Sequence, residues 1–281
     1  KQVALKSEIA SIRLGLFRLY YHYLDNKGTN EVLAWLQKQN SPTSRYFVGE
    51  ALRYKGEFVR ADSVLNTWIG SNPKVSVAPA FLSLARIAFQ DFKPQIGEVQ
   101  FWRAVDSIQD SLDAQLVYQD VKYIVNLEEM SAFQEITTVD DWKTFFRKIW
   151  VSRDPTPSLE WNARLSEHYR RLLYVERHYL FDGFRTWFND PDKFDNLDFL
   201  ETTDLNDRFN DKGLVYVRHG EASDIQKPMD LREVWWYWKT KEYPEMVFNF
   251  AASPTAVGSN WRLVESALGS GNLSARVRWD V

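Results

Sequence analysis

The sequence contains no cysteine. Disulfides, thiol nucleophiles and thiolate metal sites are therefore excluded within it, while the compartment stays open, because cysteine-free chains occur on both sides of a membrane. No apolar run approaches the ~20 residues that a bilayer-spanning helix needs, and Lys1-Gln2-Val3 does not open a signal-peptide core. If the protein is exported, its signal or lipid anchor lies upstream of this numbering. A strong excess of one charge sign is also missing: a net charge of -3 and a pI near 5.9 leave no electrostatic footprint for nucleic acid or an anionic membrane. Histidine is scarce, with four in all, and neither a glycine-rich phosphate loop nor a serine in a nucleophile-elbow setting is present.

Aromatic residues are abundant. They make up 15% of the 281 residues, 12 of them Trp, and side chains of that area imply a heavily packed core. The length suffices for one large domain or two ordinary ones.

The first half reads as helix. Leu5, Ile9, Ile12, Leu16, Leu19, Tyr20 and Tyr23 recur at three and four residues and predict one apolar face. Asn26-Lys27-Gly28 ends that helix, and Val32, Leu33, Trp35 and Leu36 supply a shorter partner before Asn40-Ser41-Pro42. Counted from Pro42, the residues Gly49, Leu52, Gly56, Phe58, Ala61, Leu65, Trp68 and Pro73 resemble a tetratricopeptide repeat. There, small residues let two antiparallel helices approach and a proline ends the second. Ala85, Ala88, Phe92, Gly97, Phe101 and Ala104 form a looser copy, and Gln115 to Leu127 supplies a further helix. Such units need neighbours to bury their faces. The resemblance implies an array whose groove takes a protein partner. Glu128-Glu129 to Thr138 reads as a linker, which sets the expected domains at 1–135 and 136–281.

In the second half, Trp142, Phe145, Phe146, Ile149 and Trp150 space as a helix face that Arg153-Asp154-Pro155-Thr156-Pro157 stops. Thr156 is the expected N-cap of a helix from Ser158 to about Leu180, with Pro157 at its first position. Leu214-Val215-Tyr216-Val217-Arg218-His219-Gly220-Glu221 reads as a strand ending in a glycine turn. Leu231 to Trp238 and Glu245 to Phe250 read as a hairpin, with Trp261 to Val264 and Ala275 to Val281 as further strands. The expectation is an α+β fold, all-α repeats followed by a domain with a small, mainly antiparallel sheet. In Trp235-Trp236-x-Trp238, alternation sends Trp235 to one face and Trp236 and Trp238 to the other, one of which is core.

Trp150, Arg153, Asp154, Pro155, then Asn162, Tyr169-Arg170, Asp211, Gly213, Tyr216, Gly220-Glu221 and Glu233-Val234-Trp235-x-Tyr237 together resemble the GWxTD domain family over roughly 141–264. Where the family has its eponymous motif, this chain reads Asp207-Arg208-Phe209-Asn210-Asp211 and keeps only the last aspartate. The resemblance implies a bacterial, exported chain of the periplasm or outer-membrane surface, sometimes fused to helical repeats, and supplies no mechanism.

Two motifs invite chemistry. Asp190 and Asp192 lie in an Asp/Asn-rich stretch, but Phe194 stands where a third EF-hand ligand belongs and no glycine makes the turn, so a solvated connection is expected and no metal. Arg218-His219-Gly220-Glu221 is similar to the strand-end signature of histidine phosphatases. That chemistry also requires a second histidine downstream, and none follows His219. A structural role is expected. The enzymatic alternative is phosphoryl transfer or hydrolysis built on His219, Arg218, Glu221 and Arg153. No cofactor is implied; a protein partner on the repeats is.

Overall fold

The structure, a computed structural model, describes residues 2–26, 29–39, 41–180, 209–241, 244–252 and 261–264; of residues 2–11, 25–26 and Met229 it describes the backbone alone. The fold is α+β, with helices first and an antiparallel sheet after them. The chain forms two compact units, residues 1–120 with 136–166, and residues 121–135 with 167–281. The expected single cut at 135/136 is replaced by an interleaved division.

In the first unit, α1 (Gln2–Asn26) and α2 (Thr29–Lys38) precede two helical pairs, α3 (Pro42–Tyr54) with α4 (Phe58–Gly70) and α5 (Ala78–Gln90) with α6 (Pro94–Asp106). Every bound of the second pair lies 36 residues after its counterpart in the first. The turns repeat too. Glu57 N donates to Leu52 O at 2.9 Å, and Lys93 N donates to Ala88 O at 2.9 Å, the same C-terminal helix cap in both pairs. Ser41 opens α3 with a reciprocal capping box to Ser44.

Close approach within each pair rests on one glycine. A Cβ on Gly49 would sit 2.5 Å from Leu65, and one on Gly97 would sit 2.8 Å from the Phe89 ring. The facing helix of each pair also buries an alanine, Ala61 on α4 and Ala85 on α5. The core between the helices is Tyr46, Phe47, Ala51, Leu52, Leu65 and Trp68.

A polar spine runs through this core. Glu50 is fully buried and accepts from Tyr46 Oη at 3.1 Å, from Arg53 Nε at 2.8 Å and from the Ser83 hydroxyl. Burial pushes the Glu50 carboxyl up, but the guanidinium groups of Arg53 and Arg86 and the Ser83 hydroxyl outweigh it and leave it below its ordinary value. Arg86 in turn pairs with Asp120 on α7 (Ser111–Val121), Nε to Oδ2 at 2.9 Å. Buried charge is tolerated here because every ion has both a counter-charge and hydrogen bonds.

α9 (Val139–Ser152), capped by the Thr138 hydroxyl accepting from Asp141 N, packs its Trp150 edge-on against Phe101 of α6, with ring centroids 6.1 Å apart. This contact, with the Arg147–Asp106 ion pair and the 2.7 Å bond from Asn162 N to Glu98, is why 136–166 belongs to the helical unit.

Two expectations are corrected here. Ile12 and Leu19 are exposed (64% and 43%); Tyr20 is buried as expected, and Phe17 and Leu24, outside the expected face, are buried with it. The residues read as a linker form α8 (Leu127–Glu135), opened by a capping box between Asn126 and Glu129.

The second unit holds most of α10 (Ala163–His178), then α11 (Asp211–His219) and a sheet with strand order β1 (Asp224–Met229), β2 (Arg232–Tyr237), β3 (Met246–Ala252) and β4 (Trp261–Val264), every pairing antiparallel; α11 packs on β4. The predicted hairpin and the Trp261 strand are present. β1 was not anticipated, because Asp-Ile-Gln-Lys-Pro-Met carries no strand periodicity and its exposed edge position does not require any. Trp235 and Tyr237 face the helices and are buried, whereas Trp238 is 64% exposed. The candidate strand 275–281 and the Asp190/Asp192 stretch lie outside the described residues.

The expected helix start at Ser158 moves to Ala163. Thr156 does not cap it; Asn162 Oδ1 accepts from Leu165 N at 2.8 Å, while Thr156 N is taken up by Asp154 Oδ1 in a side-chain turn. His168 is fully buried.

Candidate functional site

The segment expected as a strand, Leu214 to Glu221, is the helix α11 and its C-terminal cap. Asn210 nucleates it, its Oδ1 accepting from Lys212 N at 3.0 Å and Gly213 N at 3.4 Å. Leu214, Val215, Tyr216 and Val217 are all buried, so the apolar run is continuous and its spacing cannot tell a short buried strand from a short buried helix. Gly213 lets Phe209 pack: a Cβ there would meet the Phe209 ring at 2.8 Å.

Each residue of the Arg-His-Gly-Glu motif has a structural engagement or lies in solvent. Arg218 donates from Nε to Tyr123 O at 2.7 Å and from Nη2 to Val125 O at 3.0 Å, holding the turn before α8. His219 packs its ring near Tyr237 (5.6 Å) and Phe248 (5.2 Å) and is half-buried. Gly220 ends the helix at φ 81°, a left-handed conformation that a side chain disfavours. Its carbonyl accepts from Tyr237 Oη at 2.8 Å, and the Arg171 guanidinium lies so close that a Cβ would meet it at 2.9 Å. Arg171 Nη1 also donates to Arg218 O at 2.9 Å and Nε to Glu167 Oε1 at 2.6 Å. Partial burial raises the Glu167 carboxyl, and hydrogen bonds from Arg170 and Arg171 overcome this and bring it down to about 2. Glu221 is exposed. Arg171 and Tyr237, which clamp the cap, were not singled out from the sequence; a clamp assembled from two distant elements leaves no local signature.

Most of the remaining motif residues also have a structural contact. Trp150 is fully buried; Asn162 Nδ2 donates to its carbonyl at 2.8 Å. Arg153 belongs to the first unit and donates Nη1 to Ile149 O at 3.3 Å; Pro155 is exposed. Asp211 Oδ2 accepts from Leu263 N at 2.9 Å and so ties the start of α11 to β4. Tyr216 stacks on Tyr174 at 4.9 Å.

Lys212 is a buried lysine. Its Nζ is 2.8 Å from Glu233 and lies over the Trp261 ring, 3.1 Å from the centroid. Desolvation pushes the amine down to about 8, against the pull of Glu233. Glu233 and Trp261, with Lys227, Asp230 and Arg232, border an open cleft of about 440 Å³, but the amine is taken up by a carboxylate and an aromatic face.

A further candidate among the described residues is a surface. At the tip of the α5–α6 turn, Phe92 is 85% exposed and adopts φ 55°, where the preceding pair places Gly56 at φ 81°. Ile96 and Val99, on α6 of the same pair, are about half exposed. Comparison with protein-family models, with curated proteins and with solved structures found no match to this chain. The GWxTD likeness accordingly stands on the motif residues alone.

Proposed function

We propose that the protein is a scaffold component that binds another protein through its helical unit, with a GWxTD-like α+β unit as its companion, in the envelope of a bacterial cell. The observation that carries this reading is Phe92. A left-handed backbone costs a non-glycine residue about 1 kcal/mol, and a solvent-exposed phenyl ring returns nothing to the fold. A ring held at that cost beside exposed Ile96 and Val99 fits contact with a second protein, where aromatic side chains supply anchoring area.

The test is site-specific photocrosslinking in the native cell. A benzoyl-phenylalanine at position 92 is expected to give one discrete adduct, and the same group at exposed Asp140 is expected to give none. Equal or absent crosslinking at the two positions overturns the reading. Fractionation of the same cells tests the envelope assignment, which a wholly cytosolic pool contradicts.

A further inference from the structure

The first helix runs across the starts of the helices that follow it. At its inner end, the Phe17 ring stacks on Tyr46 of α3 with centroids 5.6 Å apart and meets Phe47 edge-on at 5.0 Å. One turn on, Tyr21 Oη is 3.0 Å from Tyr46 Oη. One turn back, Arg13 borders a small cavity with Ser76 and Pro79 at the start of α5. Its guanidinium then reaches the start of α7, with Nη1 2.6 Å from Asp110 and Nη2 2.5 Å from Asp113.

Asp110 and Asp113 are themselves the cap of α7: Asp110 Oδ1 accepts from Asp113 N at 3.0 Å, and Asp113 Oδ2 accepts from Gln109 N at 2.9 Å. Arg13, Phe17 and Tyr21 fall at four-residue intervals, a single stripe on a helix. The face they cover is thus a row of helix starts that reads arginine, phenylalanine and tyrosine in that order.

We propose that α1 is an exchangeable clasp, and that the face it covers is a receptor for an amphipathic helix of a partner protein presenting arginine and two aromatic residues at four-residue spacing. Three observations argue for exchange rather than for a fixed element or a vacant face. The Asp113 side chain has no solvent exposure, so a face without a cation leaves a buried acid unpaired, and whatever displaces α1 must bring its own. The fit of α1 is incomplete: Trp68 borders the same small cavity and its buried indole N–H has no hydrogen-bond partner. The opposite side of α1 leaves Ile12 and Leu19 in solvent, so this helix is held from one side only at those positions. This site is separate from the Phe92 edge and stands or falls independently of it.

The probe is a fluorescent peptide carrying residues 2–26, added to the full chain. Binding to an Arg13→Ala, Phe17→Ala chain is expected to be at least tenfold tighter than to the wild-type chain, whose own α1 competes. Adding Asp113→Asn to that chain is expected to weaken binding at least tenfold, as is placing the two alanines in the peptide. Equal affinity across these chains, or no binding to any, overturns the proposal. Hydrogen exchange on the unmodified chain gives a readout that no variant can spoil. Amides of α1 are expected to exchange at least a hundredfold faster than those of α3 and α5, and exchange of all three helices in one common step overturns it.

Discussion

Gly56 and Phe92 stand 36 residues apart at the same point of successive helical pairs, both left-handed, with φ of 81° and 55°. Their amides close the same turn, Gly56 N to Arg53 O at 2.9 Å and Phe92 N to Phe89 O at 3.2 Å. The backbone repeats where the side chain does not. Phe92→Gly is therefore expected to stabilise the fold by about 0.5 kcal/mol, the relief of ~1–2 kcal/mol of left-handed strain less ~0.5–1 kcal/mol of added chain entropy. Chemical denaturation reads this as a higher midpoint at unchanged slope. A lower midpoint contradicts the strain assigned here.

Gly49→Ala is expected to destabilise by about 1–3 kcal/mol, because the new methyl lands 2.5 Å from the buried Leu65 side chain. Combining it with Leu65→Val is expected to cost less than the sum of the two single changes. A double-mutant cycle measures the coupling, and strict additivity sinks the close-approach account.

Arg218→Met removes the donors to the carbonyls of Tyr123 and Val125 and is expected to lower stability by about 2–3 kcal/mol. His219→Gln, at a half-buried position, is expected to cost about 1 kcal/mol or less. The reverse order of effects would point to a role for the imidazole that its ring packing does not explain.

The Lys212 amine gives a pH signature. In the unfolded chain it titrates near its ordinary value of about 10.4, whereas in the folded chain desolvation brings it down to about 8. Between these values the unfolded state binds more protons, so stability rises with pH through that window. Below pH 8 both states are charged and the burial penalty is fully felt. Relative to a Lys212→Met, Glu233→Gln chain, the wild type is expected to gain about 2 kcal/mol between pH 7 and 10. A flat difference shows that the amine titrates normally.

Trp235→Ala is expected to cost about 3–5 kcal/mol, since the ring is 2% exposed and packs against Tyr179 and Phe250. Trp238→Ala is expected to change stability by less than about 0.5 kcal/mol. Thermal unfolding of both variants separates the two faces of the hairpin.

What could be read from the residues alone follows their local character. The small-large-proline spacing from Pro42 located two helical pairs because close helix packing demands small side chains at fixed intervals. The aromatic alternation from Leu231 located a hairpin because only a pleated strand sorts Trp235 from Trp236. Leu214 to Val217 was misread because a run buried on every side has no periodicity to report, and the decisive residue, Asn210, lies outside it.

The sequence by itself determined the α+β class, the repeating helical pairs, the hairpin and the alternation of its tryptophans, each being a matter of neighbours within a turn or a strand. Only the tertiary structure decided that Arg218 ends on the carbonyls of Tyr123 and Val125, that Arg13 bridges Asp110 and Asp113, and that 136–166 joins the helices before it. Those contacts span tens of residues. A guanidinium carries the same charge wherever it lies, and its partner is fixed by which oxygens the folded backbone brings within reach, for which no local pattern exists.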